Sequence, residues 1–403
     1  MRSLPPADLR RAGATGSADM ATEAAKPGSP VLIIALSGRA LASAARREGL
    51  VPLVCDLFGD SDTIALAEQH SLLPFHPDHD GIDAHALACM LDTLCAGKTP
   101  PLIWGSGFED QTSVLESLQK HHPLQGTPPP RITDLKNPLF LATLCREYAV
   151  PFPAISLSPP SREAFVDQRW LTKRIGGSGG SHIHPVRGPG SAKPGRYHQQ
   201  HVEGIPISAL VLGRPLKTPL LIGWSRQWTA PSPCTPFRFG GAARLTERES
   251  GHLSPALQHA VLDLTRASGL VGLGSLDFLV HEDGFHLLEI NPRPGATLDV
   301  FPEQPLITLH MLASGGTIPE PVISLASMAG SRACAVAYAP RSIKIPEDFV
   351  WPDWTADHSR THTLIPRGAP VCTVLTEAAD ATSAKALAED RTNEILQRLE
   401  TSS

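Results

Sequence analysis

The sequence predicts an α/β and α+β multidomain protein, and three stretches carry that prediction. "VLIIALSGRALASAARREGLVPLVCDLFGD" (31–60) alternates strand, glycine turn, helix and strand, which is the order of a βαβ unit. "LDFLVHEDGFHLLEIN" (276–291) reads as a hairpin. "ACAVAYAP", "GAPVCTVLTEA" and "SAKALAEDRTNEILQRLE" close the chain as two strands and an amphipathic helix. At about 150 residues per domain, 403 residues allow two or three.

Residues 1–29 are rich in Ala, Gly, Pro and Ser and lack an apolar core, so they read as a disordered tail rather than a secretory signal, with Met20 as an alternative start. Val31–Leu36 is a continuous apolar run of the parallel-sheet kind. Gly38 opens a turn, 40–48 has helical spacing, and 51–57 is the next strand, ending near Asp56. The turn is not a GxGxxG fingerprint and points only weakly to a dinucleotide. "PLIWGS" is a third strand, leading into the turn "WGSGFED" (104–110).

"HHPLQGTPPPR" (121–131) reads as a Pro-rich linker that separates a 30–130 βαβ domain from the rest. "DLKNPLFLATLCREYAV" reads as one helix. "WLTKRI" is a strand entering the glycine run 176–181, and two short strands flank Glu203-Gly204. "WSRQWTAPSPCTPFRFGGAARL" (224–245) is expected as a long loop, followed by a helix near 254–268 and strands at 275–280 and 285–291. The second large unit spans 131–330, and 331–403 forms a small C-terminal α+β region.

Composition narrows the function classes. Hydrophobic residues make up 41%, enough for a folded core, and the net charge of −5 argues against nucleic acid as the main partner. No apolar run approaches the ~18 residues of a spanning helix, so no membrane partner is expected. Cys55, Cys89, Cys95, Cys145, Cys234, Cys334 and Cys372 form no CxxC pair and read as reduced core thiols of a cytoplasmic protein.

A three-residue hairpin loop Glu282-Asp283-Gly284 would set His281 opposite Phe285 and Asp277 opposite Glu289. Asn291, two residues on, shares that face. Phe278, Val280, Leu288 and Ile290 fall on the other. Two carboxylates and an amide oxygen, with no cation at the same pleat, are hard ligands suited to Mg²⁺ or Mn²⁺. The same face also fits the solvated side of an edge hairpin. Lys173 precedes Gly176, Gly177, Ser178, Gly179, Gly180 and Ser181, a run whose backbone N–H groups could approach phosphate oxygens, or which is simply a flexible loop. His182 and His184, with no third ligand nearby, read as a solvated loop.

Lys136 before a helix, Lys173 before the glycine run, "QQHVEG", "SLDFLV" and "LLEINPRPGAT" together resemble the ATP-grasp superfamily over residues 131–330. The 30–130 region looks like that family's Rossmann-like N-terminal domain. The resemblance implies that ATP is gripped between two α+β subdomains beneath the Gly-rich loop. It places Lys136 and Lys173 on the phosphates and Gln199, Gln200, His201 and Val202 at the adenine hinge. Glu203 lies near the ribose. Asp277, Glu289 and Asn291 are the ligands of two Mg²⁺ ions, and Arg293 faces the transferred phosphoryl group. Gln199 stands where many members carry an acid, and Ser275 where many ligases carry an arginine, which shifts oxyanion stabilisation to Arg293 or Arg238.

The chemistry so implied is ATP-dependent activation of a carboxylate as an acyl-phosphate, followed by amine attack. Ser106, Gly107, Arg238 and Arg293 are the candidate contacts to small-molecule carboxylate and amine substrates, and a homo-oligomer is compatible with the sequence. "SGRALASAARREG", "PLVCDLFGD", "WGSGFED" and "PFRFGG" further resemble the branch with tyramine–L-glutamate ligases of C1-carrier cofactor biosynthesis. Two other readings stay open: a biotin-carboxylase-like enzyme that phosphorylates bicarbonate, and a nucleotide-binding regulatory or scaffold protein without turnover.

Overall fold

The apolar run at the start of the chain forms the centre of a parallel sheet because it is buried on both faces. In the computed structural model, which describes residues 25–76, 81–159, 169–186, 188, 193–316 and 328–401, Val31, Ile33 and Ala35 pack with the helix Arg39–Arg47. Leu32 and Ile34 pack with the helix Ala84–Leu94 on the other face. Each such side chain withdrawn from water contributes about 1.5–3 kcal/mol, and two covered faces explain the absence of alternation.

Five parallel strands make this sheet, in the order Gln69–Leu72, Val51–Asp56, Pro30–Ala35, Leu102–Trp104 and Leu124–Gln125. The first of these was not legible, because "QHSL" is a polar edge strand with no apolar period. The 121–131 stretch is more than a linker: it supplies the last strand and starts the helix Pro129–Lys136, whose first turn tolerates proline. The single helix expected next is two, since Pro138 cannot continue the first. Asn137 caps the second, Pro138–Glu147, by accepting from the Leu139 N–H at 3.0 Å.

Asp56 ends its strand fully buried and accepts from the N–H groups of Gly38 and Gly59, both at 2.9 Å. A carboxylate thus occupies the start of helix Arg39–Arg47, where a dinucleotide phosphate would need to sit.

The rest of the chain builds a four-stranded sheet (His184–Pro185, Trp170–Arg174, Arg196–Gln200, Ile155–Ser156) and an eight-stranded antiparallel one. The large sheet runs Gly284–Asn291, Gly272–His281, Ile205–Gly213, Leu220–Thr229, Phe239–Arg244, Ser331–Tyr338, Pro370–Ala378, Thr355–Ala356. Its last three strands come from the C-terminal region, and the helix Ala381–Thr401 packs over Ser331–Tyr338 and Pro370–Ala378. The expected long loop at 224–245 is mostly strand: Ser225 pairs with Arg244 and Gln227 with Ala242, and only the Pro/Ser-rich 230–238 connects them. Among the described residues no helix is long and apolar enough to cross a membrane. Five cysteines are buried, and Cys89 and Cys234 are exposed; all are free.

Candidate active site

The hairpin 272–291 turns one residue earlier than its composition predicts. His281 pairs with Gly284, leaving a two-residue turn, and Val280 pairs with Phe285. A bulge between Asp277 and Phe278 then absorbs one extra residue, so Asp277 still lies opposite Glu289, and Ser275 opposite Asn291. The bulge also exchanges two leucines: Leu287 enters the core beside Phe278 and Ile290, whereas Leu288, expected there, is half-buried.

The cation at this pleat is Lys136, which the resemblance places on the phosphates and which here meets the ligand face itself. It arrives from the end of helix Pro129–Lys136 and donates to Asn291 Oδ1 at 2.6 Å and Glu289 Oε2 at 3.4 Å. Asn291 in turn donates from Nδ2 to Asp277 Oδ2 at 3.0 Å and to Ser275 Oγ at 3.4 Å. Ser208, from the adjacent strand, and Gln227, from the strand beyond it, donate to Asp277 Oδ1 at 2.5 and 3.4 Å. Burial and the neighbouring Glu289 push the Asp277 carboxyl up. Burial acts the same way on Glu289, but Lys136 and Lys173 outweigh it and hold that carboxyl low. Of the two, Glu289 is therefore the first to ionise.

Lys173 lies on the strand Trp170–Arg174, buried, with no carboxylate within ion-pair distance among the described residues. Burial pulls its ammonium down, against Glu289. The glycine run that follows folds onto two other parts of the chain. Gly179 O accepts from Phe239 N at 2.9 Å, and a Cβ on Gly180 (φ +75°) would stand 2.0 Å from the Phe237 carbonyl oxygen. A Cβ on Gly176 would meet Asp110, which pairs with Arg174 at 3.3 Å. The N–H groups of Ser178, Gly179 and Gly180 have no backbone partner among the described residues. His182, expected in solvent, packs its ring against Gly177, and burial pushes the imidazole down to about 4.

At the positions expected as the adenine hinge, Gln199 is buried, and its Nε2 and the Nδ1 of His201 have no hydrogen-bond partner among the described residues. Backbone bonds from Gln200 N to Ala154 O and from His201 N to Arg169 O, both 2.8 Å, tie the segment down. Val202 follows in irregular backbone, and exposed Glu203 pairs with Arg169.

Arg293 is held by a residue the sequence reading passed over. Glu109, in the "WGSGFED" turn, is buried and accepts from Arg293 Nε and Nη2 at 2.6 Å each. Its other oxygen accepts from the Gly107 N–H at 2.7 Å. Burial opposes ionisation of Glu109, but Arg293 and Lys136 hold its carboxyl below the usual range. The acid was visible in the quoted turn; its partner, 184 residues away, was not. Among the described residues no hydrogen bond brings Arg238 to the carboxylates. It donates to Ala230 O at 2.9 Å and Gly368 O at 2.8 Å and lies 3.5 Å over the Tyr338 ring. Ser106 lines a separate crevice beside Arg39 and Asp60.

The oxygen set of Asp277, Glu289 and Asn291 fits a hard divalent ion, because it contains no imidazole or thiolate. Buried Lys173 and the unspent loop N–H groups fit anionic phosphates.

A family model described as "ATP-grasp domain" matches residues 137–297. No curated protein matches the sequence. Among solved structures, the biotin carboxylase of Campylobacter jejuni in complex with an ATP analogue superposes with a TM-score of 0.68 at 13% identity, over 92% of this chain and 95% of that one. The biotin carboxylase domain of Hydrogenobacter thermophilus 2-oxoglutarate carboxylase, bound to MgADP and bicarbonate, gives 0.68 at 13% identity, over 88% of each chain. A pyruvate carboxylase of Rhizobium etli gives 0.66 at 13%, over 91% of this chain, which spans 37% of that longer protein. Residues 137–297 are an ATP-grasp domain, and the chain has the ATP-grasp fold of ATP-dependent ligases and carboxylases.

Proposed function

We propose that this protein is an ATP-dependent carbon–nitrogen ligase that activates a substrate carboxylate as an acyl-phosphate and joins it to an amine. The observation that carries the reading is the convergence of Asp277, Glu289 and Asn291 with Lys136, beside buried Lys173 and its glycine loop. A carboxylate oxygen takes the γ-phosphoryl group of ATP, releasing ADP. The amine nitrogen then forms the C–N bond at the acyl carbon, phosphate leaves with its oxygen, and the amine gives up a proton.

Asp277, Glu289 and Asn291 would hold Mg²⁺, which supplies charge neutralisation to the transferring phosphoryl group. Lys173 offers the phosphates a charge already withdrawn from water, where each interaction is stronger. Lys136 answers to the same oxygens as the divalent ion and keeps them in register. Glu109 orients Arg293 at the edge of this cluster through two 2.6 Å contacts. The glycine loop, tied to Phe239, screens the acyl-phosphate from water.

The pairing of L-glutamate with tyramine or another aromatic amine, in C1-carrier cofactor biosynthesis, is the finer form of this reading and rests on the quoted segments alone. A second reading, phosphorylation of bicarbonate, is favoured by the match to biotin carboxylases along nearly the whole chain. Phosphate release, measured with acid–amine pairs and separately with bicarbonate, separates the two. Stimulation by an amine that requires a carboxylate supports the ligase; stimulation by bicarbonate alone supports the carboxylase.

A further inference from the structure

The N-terminal sheet has a topological switch point, and a crevice opens there. Strand Pro30–Ala35 lies beside Leu102–Trp104, and the chain leaves the first toward Val51–Asp56 and the second toward Leu124–Gln125, in opposite directions. Open parallel sheets bind ligands outside the carboxyl ends of the strands flanking such a point. A cavity of about 220 Å³ lies at these ends, reached by Ser37 and Arg39 after the first strand, Phe58 and Asp60 after the second, and Ser106 after the Leu102–Trp104 strand. Its far wall is Phe239 and the turn Pro294-Gly295, which directly follows Arg293.

We propose that this crevice binds the amine substrate as its ammonium ion, with Asp60 as counter-ion and Phe58 and Phe239 as apolar walls. The assignment rests on the ligase reading and names where its second substrate enters.

Asp60 is 7% exposed and lines the cavity, yet its carboxylate has no hydrogen-bond or ion-pair partner among the described residues. It does not cap the helix Ser61–Leu66 that it precedes. An unpaired buried carboxyl is costly unless a cation or donor meets it. Burial, followed by Asp357, Asp62 and Asp56, pushes the Asp60 carboxyl up to about 8, a penalty that an incoming ammonium offsets.

Among the described residues the one guanidinium lining the crevice is already paired. Arg39 grips both oxygens of Asp299 at 2.6 Å and both of Asp357 at 3.2 and 3.0 Å. Ser37 donates to Asp357 at 3.0 Å. Even with Asp60 protonated, Arg39 faces the two carboxylates of Asp299 and Asp357, so the crevice repels a carboxylate and attracts a cation, which in turn favours ionised Asp60. Phe58, 44% exposed, stands where a ligand would cover it. The position also suits the chemistry: the crevice is lined by Pro294 and Gly295, the two residues that directly follow Arg293.

Calorimetric titration of the full chain with phenethylamine, butylamine, 2-phenylethanol and phenylacetate tests this. The two amines should bind saturably at neutral pH, and the alcohol and acid should not. Asp60→Asn should weaken amine binding about tenfold or more, the scale of one lost buried charge contact. Phe58→Ala should weaken phenethylamine more than butylamine. Equal binding of alcohol and amine, preference for the acid, or full amine affinity in Asp60→Asn would each overturn the assignment. If Asp60→Asn does not fold, the probe series and Phe58→Ala still decide. MgATP binding is measured on the same preparation. A chain that binds MgATP but no ammonium loses only the crevice assignment, whereas a chain that binds no MgATP loses the ligase reading.

Discussion

Arg293 donates from both Nε and Nη2 to a single oxygen of Glu109, each at 2.6 Å, with both side chains buried. The pair joins the turn after an N-terminal strand to the turn after the hairpin 272–291. It fixes how the parallel sheet meets the candidate phosphoryl-transfer centre.

Replacing Glu109 by Gln leaves the buried guanidinium without its counter-ion, so stability should fall by about 3–5 kcal/mol, the usual cost of breaking such a pair. Chemical denaturation reads this directly. Wild-type stability should also depend on acid. The folded Glu109 carboxyl lies below its unfolded value of about 4.3, so its contribution is complete above that pH and disappears as pH falls through the folded value. Glu109→Gln should lack this part of the acid slope.

Glu289→Gln should fold normally and lose ATP-dependent phosphate release by about a hundredfold or more, the scale of removing a preorganised charge from a phosphoryl-transfer site. Wild-type turnover in this variant would mean that the face shared with Asp277 is not the metal face.

Lys173→Met should separate binding from folding. The ammonium is buried without a carboxylate within ion-pair distance among the described residues, so removing it relieves a desolvation cost and the ligand-free chain should melt no lower than wild type. Nucleotide affinity, followed with a fluorescent ATP analogue, should drop about tenfold or more, in line with a lost charge-assisted contact. Unchanged affinity would remove Lys173 from the phosphate site.

Gly180→Ala meets two obstacles: a φ of +75° and a carbonyl oxygen 2.0 Å from the new Cβ. The loop must leave its contact with Phe237. Phosphate release should fall, and proteolysis of the 176–181 segment should quicken, while the global melting temperature moves by only a few degrees. Proteolysis at the wild-type rate would show that the loop does not need this close approach.

Local pattern was enough for the central elements. The two-sided apolar run at 31–35, the glycine loop after Lys173 and the hairpin 272–291 follow from period, turn chemistry and strand length. Even the Asp277–Glu289 pairing was legible, although through two offsetting errors: a turn one residue too long and an unseen bulge. Polar strands resisted. "QHSL" and the strands within 224–245 pair because neighbouring strands offer hydrogen-bonding edges, a property of the sheet and not of their own side chains.

The sequence by itself determined the shared face of Asp277, Glu289 and Asn291, the place of Lys173 before the glycine run and the class of fold, because each depends on residues near one another along the chain. Only the tertiary structure decided what neutralises those oxygens and what surrounds them. Lys136 reaches Asn291 across 155 positions, Glu109 reaches Arg293 across 184, and Arg39 reaches Asp357 across 318. Charges so far apart leave no joint pattern in a sequence. They meet because burying the hydrophobic faces of the sheets and helices brings these chain segments together, and a buried charge is then stable only beside its opposite.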